Sequence, residues 1–255
     1  MTNKSGKCKK GSLIASIGDT KTQAIIEVLE KIPLELRYKV KEVTLDMANN
    51  MEAAVRKSFP NAKLVTDRFH VVRLVMEALQ HIRIKNRWQE IDKENTAIKN
   101  AKEKNEKYIS PTFSNGDTPK QLLARSRYII AKKQEDWTKN QSERALILFE
   151  NYPEIFTFYK HSMELRNIYE EKDRDKADQK FKEWIQKTYN QKLEVFFTVA
   201  NTIIANYENI LNFFIHRNTN ANAESFNAKI KLFRANLRGV IDIPFFLFRM
   251  TKLFA

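Results

Sequence analysis

Residues 40–75 read VKEVTLDMANNMEAAVRKSFPNAKLVTDRFHVVRLV, and this stretch decides the fold. From Val40 to Leu45 apolar and polar side chains alternate, which is typical of a half-buried strand, and the run ends at Asp46. Leu64 and Val65 form a second short apolar run. The segment between them has the composition of a helix that starts after two asparagines and ends at a proline. Strand, helix and strand at this spacing predict a βαβ unit with parallel strands.

The flanking residues extend the same pattern in both directions. Residues 13–17 read as a short strand closed by Gly18, and apolar residues at helical spacing follow until Pro33. On the other side, a helix is expected from His70 through Leu79. The amino-terminal part of the chain is therefore predicted to be an α/β segment.

Beyond about residue 81 the pattern becomes helical. Residues 82–107 are rich in charge and predict a long solvated helix, and residues 108–119 read as a loop. Helices are then expected after Thr118-Pro119 and over residues 141–171 and 175–215. With only 5 Gly and 6 Pro in 255 residues, an all-β sandwich is disfavoured.

Composition narrows the class of partner. The net charge of +14 and the pI of about 9.7 favour a polyanionic partner, with nucleic acid first, although charge alone does not separate DNA from RNA or from an anionic membrane. The single Cys8 excludes an internal disulfide and suits a reducing cytoplasm. Apolar runs are too short for a membrane span, and the polar, basic residues 1–10 are unlike a secretory signal.

Three acidic residues, Asp46, Asp67 and Glu224, lie at positions where ligand binding or catalysis is expected. Asp46 follows a strand, at the edge of an open α/β sheet where ligands gather, although an Asp there also serves as a turn or helix-capping residue. Asp67 and His70 follow the next strand, three residues apart, and suit a metal or phosphate site or, equally, a helix cap and a satisfied histidine.

Glu224 opens a late amphipathic helix. Glu224, Asn227 and Lys231 recur on one face, and an apolar stripe follows another. A carboxylate, an amide and an ammonium presented together suit a divalent metal and a phosphate. The same pattern fits an ordinary helix with a polar face.

Taken together, these motifs resemble the ISL group of bacterial DDE-type insertion-sequence transposases. The resemblance is carried by Val43-Thr44-Leu45-Asp46-Met47, Phe59-Pro60-Asn61-Ala62, Val65 to Val72, Thr219 to Lys231 and Arg238 to Arg249, in the same order along the chain. It spans nearly the whole chain.

The resemblance implies an α/β fold with a large helical part, in which an RNase H-like core is interrupted by a helical insertion. The expected division is a partial core at 1–80, an insertion at 81–215 and a carboxyl-terminal helical segment at 216–255. It also implies an Asp-Asp-Glu triad that holds two Mg²⁺ or Mn²⁺ ions for attack on a DNA phosphodiester.

On this resemblance Asp46 is the second triad carboxylate and Glu224 the third, and both are metal ligands. Asp67 and His70 match the Asp-x-x-His signature of related transposases and support the active site, with Asp67 as the alternative second carboxylate. The first catalytic Asp and its strand are missing: no Asp precedes Asp19, and Met1 to Lys4 resemble the part of the family's sequence that comes after that strand. The family's amino-terminal DNA-binding region is missing too. A truncated or split reading frame, or a late start codon, is therefore expected, and a two-metal site without one of its carboxylates should lose metal affinity and most of its activity.

The resemblance further implies double-stranded DNA as partner, both transposon ends and target, a homo-oligomer, and a place in the bacterial cytoplasm at the nucleoid. Lys229, Lys231, Arg234 and Arg238 are the candidate DNA contacts. Two alternatives stay open: an RNase H-like nuclease without strand transfer, and a non-catalytic, basic, helical nucleic-acid-binding protein.

Overall fold

The strand pair predicted from residues 40–75 forms a two-stranded sheet in the described part of the chain. In the computed structural model, which describes residues 2, 13–15, 17 and 20–254, strands β1 (Glu42–Leu45) and β2 (Lys63–Thr66) pair in parallel. Helix α3 (Asn49–Ser58) connects them, so the predicted βαβ unit is confirmed. Its asparagines do not cap it, because the capping position is Ala48 and both lie inside the helix.

Two short helices precede the sheet. Helix α1 (Thr22–Leu29) places Ile25, Ile26 and Leu29 in the core, and α2 (Leu34–Tyr38) follows Pro33. The core of this part also contains apolar residues of both strands and of the α3 segment: Val43, Leu45, Ala54, Val55, Phe59 and Leu64. The 3.6-residue spacing of α1 and the alternation of β1 thus place their apolar faces in one common core, in which α1 packs against α3.

The strand predicted at residues 13–17 is not seen as a strand in the described residues. Leu13 forms one isolated antiparallel bridge with Thr2. Ser16, Gly18 and Asp19 lie outside the described residues, as do Met1 and Cys8.

One long helix replaces the two that the sequence predicts after β2. Helix α4 (Arg68–Glu103) runs for 36 residues and buries Val71, Val75, Leu79 and Ile82 on one stripe. Beyond Arg83 the described side chains are exposed or half-buried, which is the charged segment that the sequence separates as its own helix. The helix continues although its residues change from buried and apolar to exposed and charged, because no proline or glycine stands at that point to end it.

The remaining helices of this region are α5 (Pro119–Arg125), α6 (Lys139–Asn151), α7 (Pro153–Ile168), α8 (Arg174–Asn190) and α9 (Phe197–Ala205). The Thr118-Pro119 start is confirmed, and the Gln121 side chain accepts the Thr118 N–H at 3.0 Å, but α5 ends at Arg125, where turns replace the longer helix expected. Pro153 divides the block predicted at 141–171, because the residue before a proline avoids helical geometry and Tyr152 has φ −132°.

The last segment returns to the sheet. It comprises α10 (Tyr207–Leu211), α11 (Phe213–His216), α12 (Ala221–Asn236) and α13 (Ile243–Phe254). Gly239, with φ +111°, lies in the turn between α12 and α13, a backbone conformation that only glycine adopts readily. Phe233 of α12 and Phe246 of α13 stack with centroids 5.6 Å apart.

The chain separates into two compact units. The sheet unit contains residues 1–70 and 206–255, and the helical unit contains residues 71–205. The described fold is mostly helical with a small parallel sheet, which confirms that the chain is rich in helix, as predicted. The boundaries at 80 and 215 and the RNase H-like topology stay predictions. Among the described residues, no helix combines the length and apolarity that crossing a bilayer needs.

Candidate active site

Two acidic residues follow neighbouring strands at the same edge of the sheet. Leu45 and Thr66 pair across the strands, and Asp46 and Asp67 come directly after them. The Asp67 N–H donates to the Leu45 carbonyl at 3.0 Å, which continues the parallel pairing beyond the last strand residues. Asp46 and Asp67 therefore lie at the carboxyl ends of adjacent parallel strands, where α/β sheets bind ligands.

The carboxylate of Asp46 is exposed to solvent. Its Oδ1 accepts the Ala48 N–H at 3.3 Å, a long hydrogen bond of the kind that Asp makes with the backbone two residues ahead. This contact orients the side chain in the turn before α3. It leaves the carboxylate accessible to a ligand.

Asp67 has the opposite environment, because its residue is only 2% exposed. Its Oδ1 accepts the Phe69 N–H at 2.9 Å and so caps the first turn of α4. Its Oδ2 accepts the Asn220 N–H at 2.5 Å, from the residue before α12. Both oxygens of this carboxylate thus bind backbone amides of the sheet unit.

His70 lies in the first turn of α4, half-buried. Its backbone N–H donates to the Asp67 carbonyl at 3.1 Å, and its ring meets the Phe69 ring edge-on at 5.6 Å. The Asp-x-x-His spacing is therefore realised as a helix start. The two residues are connected through the backbone of that turn.

Glu224 is exposed in the first turn of α12. Its N–H donates to the Asn220 carbonyl at 2.9 Å, so it stands one turn after the residue that Asp67 holds. The predicted division of this helix into two faces is confirmed: Asn227 and Lys231 are exposed with Glu224, whereas the apolar stripe is half-buried (Phe226, Ile230, Phe233).

Two further asparagines attach the returning segment to the strands. The Asn212 side chain donates to the Leu64 carbonyl at 2.9 Å, and the Asn218 side chain donates to Glu42 Oε1 at 2.6 Å. Together with the Asn220 contact, they join the approach to α12 to both strands. The segment that carries Glu224 is thereby held at the sheet.

Two of the candidate residues at this edge of the sheet, Asp46 and Glu224, offer the oxygen ligands that a Mg²⁺ ion needs. In the part of the chain that the structure describes, no three His, Cys, Asp or Glu side chains are grouped to hold a metal ion. Asp46 and Glu224 are exposed carboxylates, and Mg²⁺ is commonly bound by one or two carboxylates completed by water and substrate phosphates. These two residues fit such an ion. Asp67 fits less well, because it is only 2% exposed and two backbone N–H groups take the place of its hydration.

Comparison with known families gives a match over almost the whole chain. The profile of the DDE transposases of the ISL3 group, a family described as transposase, matches residues 2–250. The chain belongs to this transposase family. No curated protein and no solved structure matches it. Membership implies DNA as the substrate of transposases like this one.

Basic side chains follow the acidic residue on the transposase's late helix. Lys229, Lys231, Arg234 and Arg238 are all exposed. Arg238 has φ +54° just after the helix end and begins the turn into α13. Exposed cations one to four turns from Glu224 are available to phosphate oxygens of a DNA backbone.

Sequence reasoning missed the residues that assemble this edge. Asn212, Asn218 and Asn220 were not among the predicted site residues, and the Asn220 side chain makes no capping hydrogen bond to α12. A backbone N–H has no side-chain signature, so the Asp67 to Asn220 contact leaves no signal in the sequence. Only the polar Asn218-Thr219-Asn220 stretch hinted that this turn is special.

Proposed function

We propose that this chain carries out DDE-type phosphodiester chemistry on DNA in the transposition of an insertion sequence. Asp46 and Glu224 are the carboxylates of the reaction, on an RNase H-like core of which β1 and β2 are part. The observation that carries the proposal is the hydrogen bond from Asn220 to Asp67, which ties the start of the Glu224 helix to the strand ends.

The metal requirement belongs to the same proposal. Asp46 and Glu224 would hold Mg²⁺ or Mn²⁺, two ions in a complete site, together with water and DNA phosphate oxygens. When bound, such ions supply Lewis-acid activation of the attacking oxygen and stabilise the leaving one. The chain's own part is to keep the two carboxylates exposed and fixed on helix and strand ends at one edge of the sheet.

The DNA partners are the transposon ends and the target. The exposed cations of α12 suit the phosphate backbone, whose contacts position a protein on DNA without reading sequence. Transposition joins two ends, so a homo-oligomer is the working form that we propose. Its place is the bacterial cytoplasm, at the nucleoid.

Removing the metal is expected to abolish DNA cleavage. The chain should nick supercoiled plasmid DNA in Mg²⁺ or Mn²⁺ and lose this activity in EDTA, with recovery when the ion is restored, because the carboxylates alone do not activate water. Gel electrophoresis of the plasmid measures the nicked fraction. Absence of nicking with either ion, or nicking that persists in EDTA, would contradict the proposal.

A second candidate function is binding of nucleic acid without catalysis. The net charge of +14, the helix-rich fold and the exposed basic side chains of α12 favour it. Such a protein would bind DNA equally well in EDTA and with Glu224→Ala. Either result combined with failure to nick DNA would support this candidate.

Loss of cations from α12 is expected to lower the salt dependence of DNA binding. Each phosphate contact releases a counterion, so the double variant Lys229→Ala/Lys231→Ala should reduce the slope of log K against log salt by about 2. Fluorescence anisotropy of labelled duplex DNA at several salt concentrations measures the slope. Lys99→Ala/Lys102→Ala changes the same charge on exposed residues of α4 and should leave the slope near that of the wild type.

A further inference from the structure

Asp67 is a buried acid whose partners are backbone amides. Burying an ionised carboxylate is costly unless hydrogen bonds replace its hydration. Here Phe69 and Asn220 supply one N–H each, at 2.9 and 2.5 Å, from residues 2 and 153 positions away. The side chain therefore joins two segments of the chain that are far apart in sequence.

The first of these contacts is a local one. Asp67 precedes α4, and an Asp at that position commonly accepts an N–H of the first helical turn. A serine would serve the same purpose with a shorter side chain. Capping alone therefore explains one oxygen of Asp67 and leaves the second to be explained.

The second contact reaches the other end of the sheet unit's sequence. Asn220 stands at the capping position of α12, yet its own side chain makes no capping bond. Its N–H goes to Asp67 Oδ2, and its carbonyl accepts the N–H of Glu224. A displacement of Asn220 is therefore passed on to Glu224 through one helical turn.

We infer that Asp67 is a positioning residue that holds the amino end of α12, and with it Glu224, at the carboxyl ends of β1 and β2. We place it outside the metal ligands because it is only 2% exposed, so its carboxylate, with two backbone amides in place of its hydration, is not accessible to a hydrated ion and a DNA phosphate. This inference rests on the proposed function for the role of Glu224, but the contact itself can be tested without catalysis.

The test removes the contact from either side. Asp67→Ser keeps a capping hydroxyl for Phe69 but is too short to reach Asn220. Asn220→Pro deletes the N–H donor, and the native φ of −83° is close to what proline requires. Asp67→Asn, which keeps the volume and one acceptor oxygen, is a milder third variant.

Hydrogen exchange of peptides covering residues 221–230 is the first measurement. Each single variant should exchange about tenfold faster there, the effect of losing one charge-assisted hydrogen bond, and the double variant should be no faster than either single. The control is Asp242→Ser in the same unit, because Asp242 caps the start of α13 by accepting the Phe245 N–H at 2.9 Å. This variant should leave the exchange of the 221–230 peptides unchanged.

Metal dependence of plasmid nicking is the second measurement. Asp67→Ser and Asn220→Pro should both lower kcat and raise the Mn²⁺ concentration for half-maximal rate, with the Kd for duplex DNA unchanged. If Asp67→Ser has this effect and Asn220→Pro does not, Asp67 is a ligand and the inference is wrong. Unchanged exchange in both variants also overturns it. If wild-type protein fails to nick DNA, the proposed function is lost while the exchange result still decides the contact.

Discussion

Replacing Glu224 by Gln is expected to abolish metal-dependent DNA cleavage while DNA binding is retained. The amide keeps the size of the side chain but removes the negative charge that a hard divalent ion needs from its ligand. The loss should exceed the roughly 100-fold that mutation of a residue supporting a metal ligand can cost. Asp46→Asn should have the same effect, since the amide oxygen can still accept the Ala48 N–H. Plasmid nicking in Mn²⁺ and anisotropy with duplex DNA measure the two properties.

The matched control for this pair is Glu35→Gln. Glu35 is also an exposed acid in the first turn of a helix of the sheet unit. Each such acid interacts with the helix dipole by roughly 0.3–1 kcal/mol, so both Gln variants should unfold at similar denaturant concentrations. Wild-type nicking by Glu224→Gln would remove this residue from the proposed chemistry.

Cleavage alone does not separate a transposase from a nuclease of the same fold. The two differ in the acceptor of the phosphodiester, which is a DNA 3′-hydroxyl in strand transfer and water in hydrolysis. Joining of a labelled, pre-cleaved DNA end to plasmid therefore tests the transposition step directly. Cleavage without joining would favour the nuclease.

The sheet was the most predictable part of the fold. Alternation in β1 and the apolar run of β2 depend on burial within a few residues, so the pattern is complete in the local sequence. The length of α4 was not predictable from the sequence. Its start is set by Asp67, and its exposed half has the composition of any solvated helix, so nothing marks it as a continuation of the buried half. The end of α5 was not predictable either, because the apolar Ile129 and Ile130 that follow it are buried in turns and not in a longer helix.

The candidate site divides in the same way. Asp46 and Glu224 were noted from their places after a strand and at a helix start, but only the family resemblance made them catalytic candidates, and their roles stay predictions. Asp67 was selected for the same reason, but its burial and its contact with Asn220 depend on 153 residues of intervening chain. Sequence patterns report local geometry, whereas such a contact depends on where the returning segment meets the sheet.

A second buried acid, Asp117, joins three parts of the helical unit. The sequence places it in a loop, yet its side chain is fully buried. Its Oδ1 accepts from Arg125 of α5, and its Oδ2 accepts from Arg144 Nε of α6 at 2.8 Å and from Asn115 at 3.0 Å. Burial alone would raise the pKa of Asp117, but hydrogen bonds from Arg144 and Arg125 outweigh it, and the pKa lies below its usual value.

Asp117→Ala is expected to lower the free energy of unfolding of the helical unit by about 3 kcal/mol. Breaking a buried ion pair by removing one partner leaves the other charge uncompensated, and this value is at the low end because Arg125 can regain water. All three tryptophans, Trp88, Trp137 and Trp184, lie in the helical unit. Urea unfolding followed by tryptophan fluorescence therefore reports on this unit.

The control is Glu77→Ala, which removes the acid of the exposed Arg73 to Glu77 pair on α4, in the same unit. An exposed pair of this spacing contributes about 0.3–0.5 kcal/mol, so its loss should hardly move the urea midpoint.

The destabilisation caused by Asp117→Ala should also depend on pH. Because the folded pKa of Asp117 is lowered, its stabilisation is present above the ordinary value of 3.8 and is lost as the pH falls through the folded pKa. The two proteins should therefore converge in stability below that range, and a difference that is unchanged at low pH would show that packing, rather than the charge, is responsible.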